Sequence, residues 1–122
     1  MNMKFAINFA EEWIEAWNSH DLDRIMSHYA EDFEMQSPVI VRIAKVKQGI
    51  IRGKNAVRTY WEKALSLNPT LHFELIKCFT GVNSVVIYYK GHRGFAAETF
   101  IFNGNGEVIN AYAHFELDLL TS

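Results

Sequence analysis

Residues Phe95 to Leu117, FAAETFIFNGNGEVINAYAHFEL, constrain the fold more than any other stretch of the chain. The run Asn103-Gly104-Asn105-Gly106 offers residue types that accept positive φ, which predicts a tight turn between two antiparallel strands. Side chains alternate between the two faces of a strand. On the first strand Glu98, Phe100 and Phe102 share a face. On the second, Ile109, Ala111, Ala113, Phe115 and Leu117 form an apolar row, with Asn110, Tyr112, His114 and Glu116 opposite. A two-residue loop at Gly104-Asn105 pairs Phe100 with Ile109 and Glu98 with Ala111, so that the apolar faces coincide. A one-residue slip would set the phenylalanines against the polar row, which burial disfavours. The expectation is a carboxylate, Glu98, that points into an apolar interior beside small alanines, and hence a pocket with an acid in its wall.

The 122 residues suit one domain over 1–122, with roughly two-thirds of the unfolded surface buried. Hydrophobic residues at 49% and aromatics at 14% supply a dense core. A net charge of −2 without runs of like charge points away from a nucleic-acid groove and from a polybasic membrane patch. The single Cys78 excludes an internal disulfide and reads as a small buried hydrophobe in a reducing compartment. The start, MNMKFAINFAEEW, has no apolar run long enough for a signal peptide or a membrane span. A soluble, cytoplasmic protein is expected.

From about Met3 to Asn18, Phe5, Phe9, Trp13 and Trp17 recur at every fourth position, which is a helical stripe. Asp21 is an N-cap for a second helix carrying Leu22, Ile25, Met26 and Tyr29. Phe33 and Met35 alternate with Glu34 and Gln36 in a short strand that Ser37-Pro38 stops. The β-branched, basic segment Val39 to Arg52 reads as an exposed hairpin. Gly53-Lys54-Asn55 opens a third helix, lined on one side by Val57, Tyr60, Trp61, Ala64 and Leu65, which Asn68-Pro69 ends. Beyond Pro69 the period changes to two, in Leu71-Phe73-Leu75 and again in Val85 to Tyr89. The predicted fold is α+β: three helices in the N-terminal half, packed on a strongly curved antiparallel sheet with an internal pocket.

Glu98 is the foremost candidate for chemistry, because a carboxylate aimed into an apolar face must be protonated, paired or wet. It is either an acid of raised pKa serving a ligand or a structural carboxylate bonded to an indole N–H or an arginine. Trp13, Trp17, Tyr60 and Trp61 are core residues by default, yet every buried indole N–H needs a partner. With Tyr29 and Met35 they suit a flat apolar ligand with a polar tip, such as a ketone or phenol. His20, His28, His72, His92 and His114 form no i, i+4 pair and have no companion cluster, so no metal site and no cofactor are expected. Ser37 lacks a nucleophile-elbow context and reads as turn chemistry. No glycine-rich phosphate loop is present.

Several segments together resemble the SnoaL-like branch of the nuclear transport factor 2-like superfamily. They are Trp13-Ile14-Glu15-Ala16-Trp17-Asn18 with His20-Asp21-Leu22-Asp23, Tyr29-Ala30-Glu31-Asp32-Phe33, Ser37-Pro38, and Gly53-Lys54 leading to Val57-Arg58 and Tyr60-Trp61. The Asn-Gly turn and its two strands continue the likeness over nearly the whole chain. The resemblance implies an α+β cone with a deep pocket, usually dimeric through the outer face of the sheet, here Asn110, Tyr112 and His114. It does not define an activity, because the superfamily holds isomerases, cyclases, epoxide hydrolases, dehydratases and non-enzymatic binders. Compared with the distantly similar ketosteroid isomerases, Glu98 falls where that family keeps its protonated acid, Trp13 at its oxyanion tyrosine and Ser37 at its aspartate base. Serine cannot abstract a proton unaided at neutral pH, so that isomerase mechanism is not expected.

The sequence therefore points to a homodimer that binds a small, mostly apolar cyclic molecule. Glu98 is the expected acid or base and Trp13 a hydrogen-bond donor, in isomerase, cyclase or lyase chemistry. The expected wall is Trp17, Tyr29, Met35, Ser37, Tyr60, Trp61, Phe100, Ala111, Ala113 and Phe115. A non-catalytic binding or protein-interaction module with a structural Glu98 is the alternative.

Overall fold

The computed structural model describes residues 1–117. It is α+β: α1 (Met3–Ser19), α2 (Leu22–Met26), β1 (Tyr29–Gln36), α3 (Pro38–Ile43), β2 (Ile50–Arg52) and α4 (Lys54–Leu67) precede β3 (Glu74–Thr80), β4 (Ser84–Gly91), β5 (Gly94–Phe102) and β6 (Val108–Phe115). The six strands form one curled, unclosed sheet in the order β2-β1-β6-β5-β4-β3. Four pairings are antiparallel, but β1 runs parallel to β6. The sheet is therefore mixed, where an antiparallel one was expected. A parallel neighbour distant in sequence leaves no local signal. No helix of the described residues is long and apolar enough to cross a membrane.

Helix α1 lies on the concave face, and its stripe of aromatic side chains explains why. Phe9 meets Phe100 and Phe102 edge-on at ring-centroid distances of 5.0 and 4.9 Å. Trp13 sits against Phe100 and Tyr89 at 5.3 and 5.2 Å. Phe5, at the outer end of the stripe, is exposed. The Asn2 side chain caps the start of α1 by accepting from the Lys4 and Phe5 N–H groups. Its end is tied to the approach to β3: Asn18 donates to the Phe73 carbonyl at 2.9 Å and accepts from the Phe73 N–H at 2.6 Å. That pair of bonds holds Phe73 against Trp13 and Trp17.

Three elements differ from expectation. Tyr29 does not extend α2, which ends at Met26; it opens β1, fully buried. The segment after Ser37 is not a hairpin. Ser37 caps a short helix by accepting from the Val39 N–H at 3.1 Å, and Pro38 occupies the first turn. Val39 and Ile40 are thereby buried, and this tertiary gain outweighs the β-preference of a Val-Ile-Val-Arg-Ile run. Gly49 then brings the chain back beneath Ser37 at φ +69°, its carbonyl accepting from the Ser37 N–H at 2.9 Å. Helix α4 follows the expected bounds after Gly53, where φ is +88°.

The β5–β6 hairpin has the predicted faces in a different register. Asn103 N–H donates to the Glu107 carbonyl, so the loop is one residue longer than expected. Ile109 is then bulged between the pairs Phe102–Val108 and Ile101–Asn110. Each feature shifts the pairing by one residue, and the two together restore the face. Phe100 is paired with Ala111 and Glu98 with Ala113. Leu117, assigned to the inner row, lies beyond β6 and is exposed.

Candidate functional site

The strand period places Ala96, Glu98, Phe100 and Phe102 of β5 on the concave face, between Ile87 of β4 and Ala113 of β6. Glu98 is 4% exposed, and among the described residues no hydrogen bond or ion pair reaches its carboxylate. Burial pushes its pKa up to about 8, because desolvation penalises the charged form and no cation compensates. Three buried tyrosines feel its charge. Burial first, and the Glu98 charge second, push the phenols of Tyr29 and Tyr89 well above their ordinary value and that of Tyr60 to about 12. All three therefore stay neutral at physiological pH.

Glu98 lines a partly open cavity of about 90 Å³ between α1, α3, α4 and the sheet. Of the expected wall, Trp17, Met35, Ser37, Tyr60, Trp61, Ala113 and Phe115 border it, as does the expected donor Trp13. Tyr29, Phe100 and Ala111 do not. They are fully buried and stand one layer behind the cavity surface. Val39, Ile43, Leu71, Phe73, Tyr89, His92, Arg93 and Ala96 also border the cavity and were not anticipated. The alternation Val85, Ile87, Tyr89 along β4 could have revealed Tyr89, which faces inward with them. Nothing local marks Arg93, which the β4–β5 turn carries to the rim.

The two first-helix tryptophans differ in hydrogen bonding. Trp13 Nε1–H donates to the Tyr29 hydroxyl at 3.0 Å, so its polar group is already satisfied. Trp17 Nε1–H, from a side chain 6% exposed, has no partner among the described residues. An unpaired buried donor is uncommon and costs free energy unless something supplies an acceptor. Ser37, whose hydroxyl accepts from the Val39 N–H, lies beside the Tyr60 phenol. Within the described residues no group of His, Cys, Asp and Glu could hold a metal ion.

The fold that carries this arrangement, helices packed on a curled sheet, is shared with known proteins. A sequence profile of the SnoaL-like domain matches residues 10–118, and the chain belongs to that family. It is 50% identical to a SnoaL-like protein of unknown function from Burkholderia thailandensis E264, covering 95% of this chain and 98% of that one, with a TM-score of 0.91. Its fold is shared with Rv0760c from Mycobacterium tuberculosis at 16% identity, over 98% of this chain and 96% of that one, with a TM-score of 0.77. It is shared too with a provisionally named polyketide cyclase from Sinorhizobium meliloti at 12% identity, over 88% and 94% of the two chains, with a TM-score of 0.71. No curated protein matches the chain significantly.

Proposed function

We propose that this SnoaL-like protein binds a small, mostly apolar cyclic molecule with a polar group, and performs acid–base chemistry on it through Glu98. The chemistry is of the isomerase, cyclase or lyase type. One observation carries the reading: a buried carboxyl, without a partner among the described residues, in the wall of an aromatic cavity. A group poised at about 8 exchanges its proton readily near neutral pH and serves as acid or base. The aromatic wall excludes water and orients a flat substrate, which suffices where the substrate is itself reactive. The donor role expected of Trp13 passes to Trp17, since the Trp13 N–H is held by Tyr29. Ser37 uses its hydroxyl on the α3 cap, so the base of a ketosteroid isomerase has no counterpart here.

The protein acts as a homodimer joined through the outer face of the sheet. Phe79, Val86, Thr99 and Tyr112 form one row across β3 to β6 on that face, and Lys77, Tyr88, Ala97 and His114 form the next. Phe79 is 55% exposed in a single chain, which supports the reading.

The function is tested by following α-hydrogen exchange of cyclohexanone in D₂O by NMR, with wild type and Glu98→Gln in parallel. Acid–base chemistry predicts exchange above the buffer rate with wild type and its loss in the variant. Saturable binding without exchange would establish a non-catalytic binder. Absence of both would overturn the reading.

A further inference from the structure

We propose that the ligand is a monocyclic carboxylate that also carries an uncharged oxygen, with the oxygen directed inward to Trp17 and Glu98 and the carboxylate left at the mouth beside Arg93. This rests on the pocket-binding reading above and adds to it the chemical class of the ligand.

The depth of the cavity asks for an acceptor. An indole N–H only donates, and a protonated carboxyl has one O–H to give. Trp17 and Glu98 both border the cavity, and neither has a partner among the described residues. A carbonyl or hydroxyl oxygen of a ligand would accept from Glu98, and it meets the occluded Trp17 N–H once the indole shifts toward the cavity. An anion there would lie next to Glu98 among neutral aromatic walls, where an unpaired charge is costly.

Size then brings the other end of the ligand to the rim. At about 90 Å³ the cavity is smaller than the roughly 150 Å³ that accommodates benzene. A six-membered ring is only partly enclosed, and its far substituent emerges at the mouth. That mouth is cationic. Arg93 borders it from the β4–β5 turn. Among the described residues Arg93 has no ion-pair partner. The Glu116 carboxylate near that turn accepts from the Phe95 N–H at 2.7 Å. A guanidinium pairs with a planar carboxylate through two hydrogen bonds, which suits Arg93 to a carboxylate at the rim.

Calorimetric titration with three matched probes tests this: 4-oxocyclohexanecarboxylate, the neutral 4-oxocyclohexanecarboxamide, and cyclohexanecarboxylate, which lacks the inner oxygen. With wild type the keto acid should bind about tenfold or more tighter than either control, the order expected of one charge-assisted or one buried hydrogen bond. Arg93→Gln, at an exposed turn, should erase the advantage over the carboxamide. Trp17→Phe should erase the advantage over cyclohexanecarboxylate. Equal binding of keto acid and carboxamide by wild type would overturn the assigned charge while the pocket reading stands. Equal binding of keto acid and cyclohexanecarboxylate would overturn the inner oxygen. Failure of all three to bind would overturn the pocket reading and this inference with it.

Discussion

At the scale of single residues, Glu98 and the two tryptophans make the clearest predictions. Glu98 has a pKa raised from 4.5 to about 8 in the folded protein, so between those values the folded state holds a proton that the unfolded state has lost. Stability is then greatest on the acid side of this window, falls as pH rises through it, and levels off above about 8. The slope contributed is up to about 1.4 kcal/mol per pH unit. Glu12 and Glu34 are lowered by their hydrogen bonds to Arg24 and Gln36, and their contribution is lost as pH falls below about 4.5. His92, lowered by burial and by Arg93, acts in the opposite sense to Glu98, so the readout is the difference between wild type and Glu98→Gln. Urea denaturation from pH 5 to 9 should show that difference turning in favour of the variant as pH rises. The tryptophans provide a second comparison. Trp13→Phe deprives the Tyr29 hydroxyl of its donor, whereas Trp17→Phe removes a donor already unpaired. The volume change is the same, so Trp13→Phe should be the more destabilising by about 1–2 kcal/mol in chemical denaturation.

At the scale of elements, α3 is the most instructive. Its helical state depends on the Ser37 cap and on Gly49, and both can be tested. Ser37→Ala should cost about 1 kcal/mol. Gly49→Ala should cost more, because φ is +69° and an added Cβ would stand 2.9 Å from the Ser37 carbonyl oxygen. Loss of α3 would also remove Val39 and Ile43 from the cavity wall, so both variants should bind ligand more weakly than their stability alone explains. The same elements show how far the chain could be read in advance. The stripe of α1, the bounds of α4 and the inward face of Glu98 all follow from periodicity, which is local. Helix α3 reads as a strand because its β-branched residues favour one when taken alone, and only burial against α4 reverses that preference. The hairpin register is hidden for a similar reason: a longer loop and a bulged Ile109 compensate each other, and neither has a distinct residue signature. Tyr29 reads as helical because a strand parallel to β6 becomes apparent only once β6 exists. Arg93 reaches the rim only because the sheet curls, and no sequence pattern marks it.

At the scale of the whole molecule, the curled sheet has two faces with different tasks. The concave face packs α1 and leaves a cavity because Ala96 and Ala113 are small where neighbouring positions carry aromatics. The convex face carries Tyr112 among half-buried residues. Tyr112→Glu should convert the proposed dimer to monomer in sedimentation velocity at micromolar concentration, since like charges would face each other across a two-fold contact. A wild type that sediments as a monomer would contradict the dimer without affecting the pocket. The pocket itself is most directly tested by an NMR titration of the Glu98 side-chain carboxyl, with Glu98→Gln for assignment, in the absence and presence of saturating cyclohexanone. The account predicts a free pKa near 8 that moves when the ketone binds. A carboxyl titrating near 4.5 and indifferent to ligand would contradict it, and would mean that Glu98 is a solvated or paired structural residue.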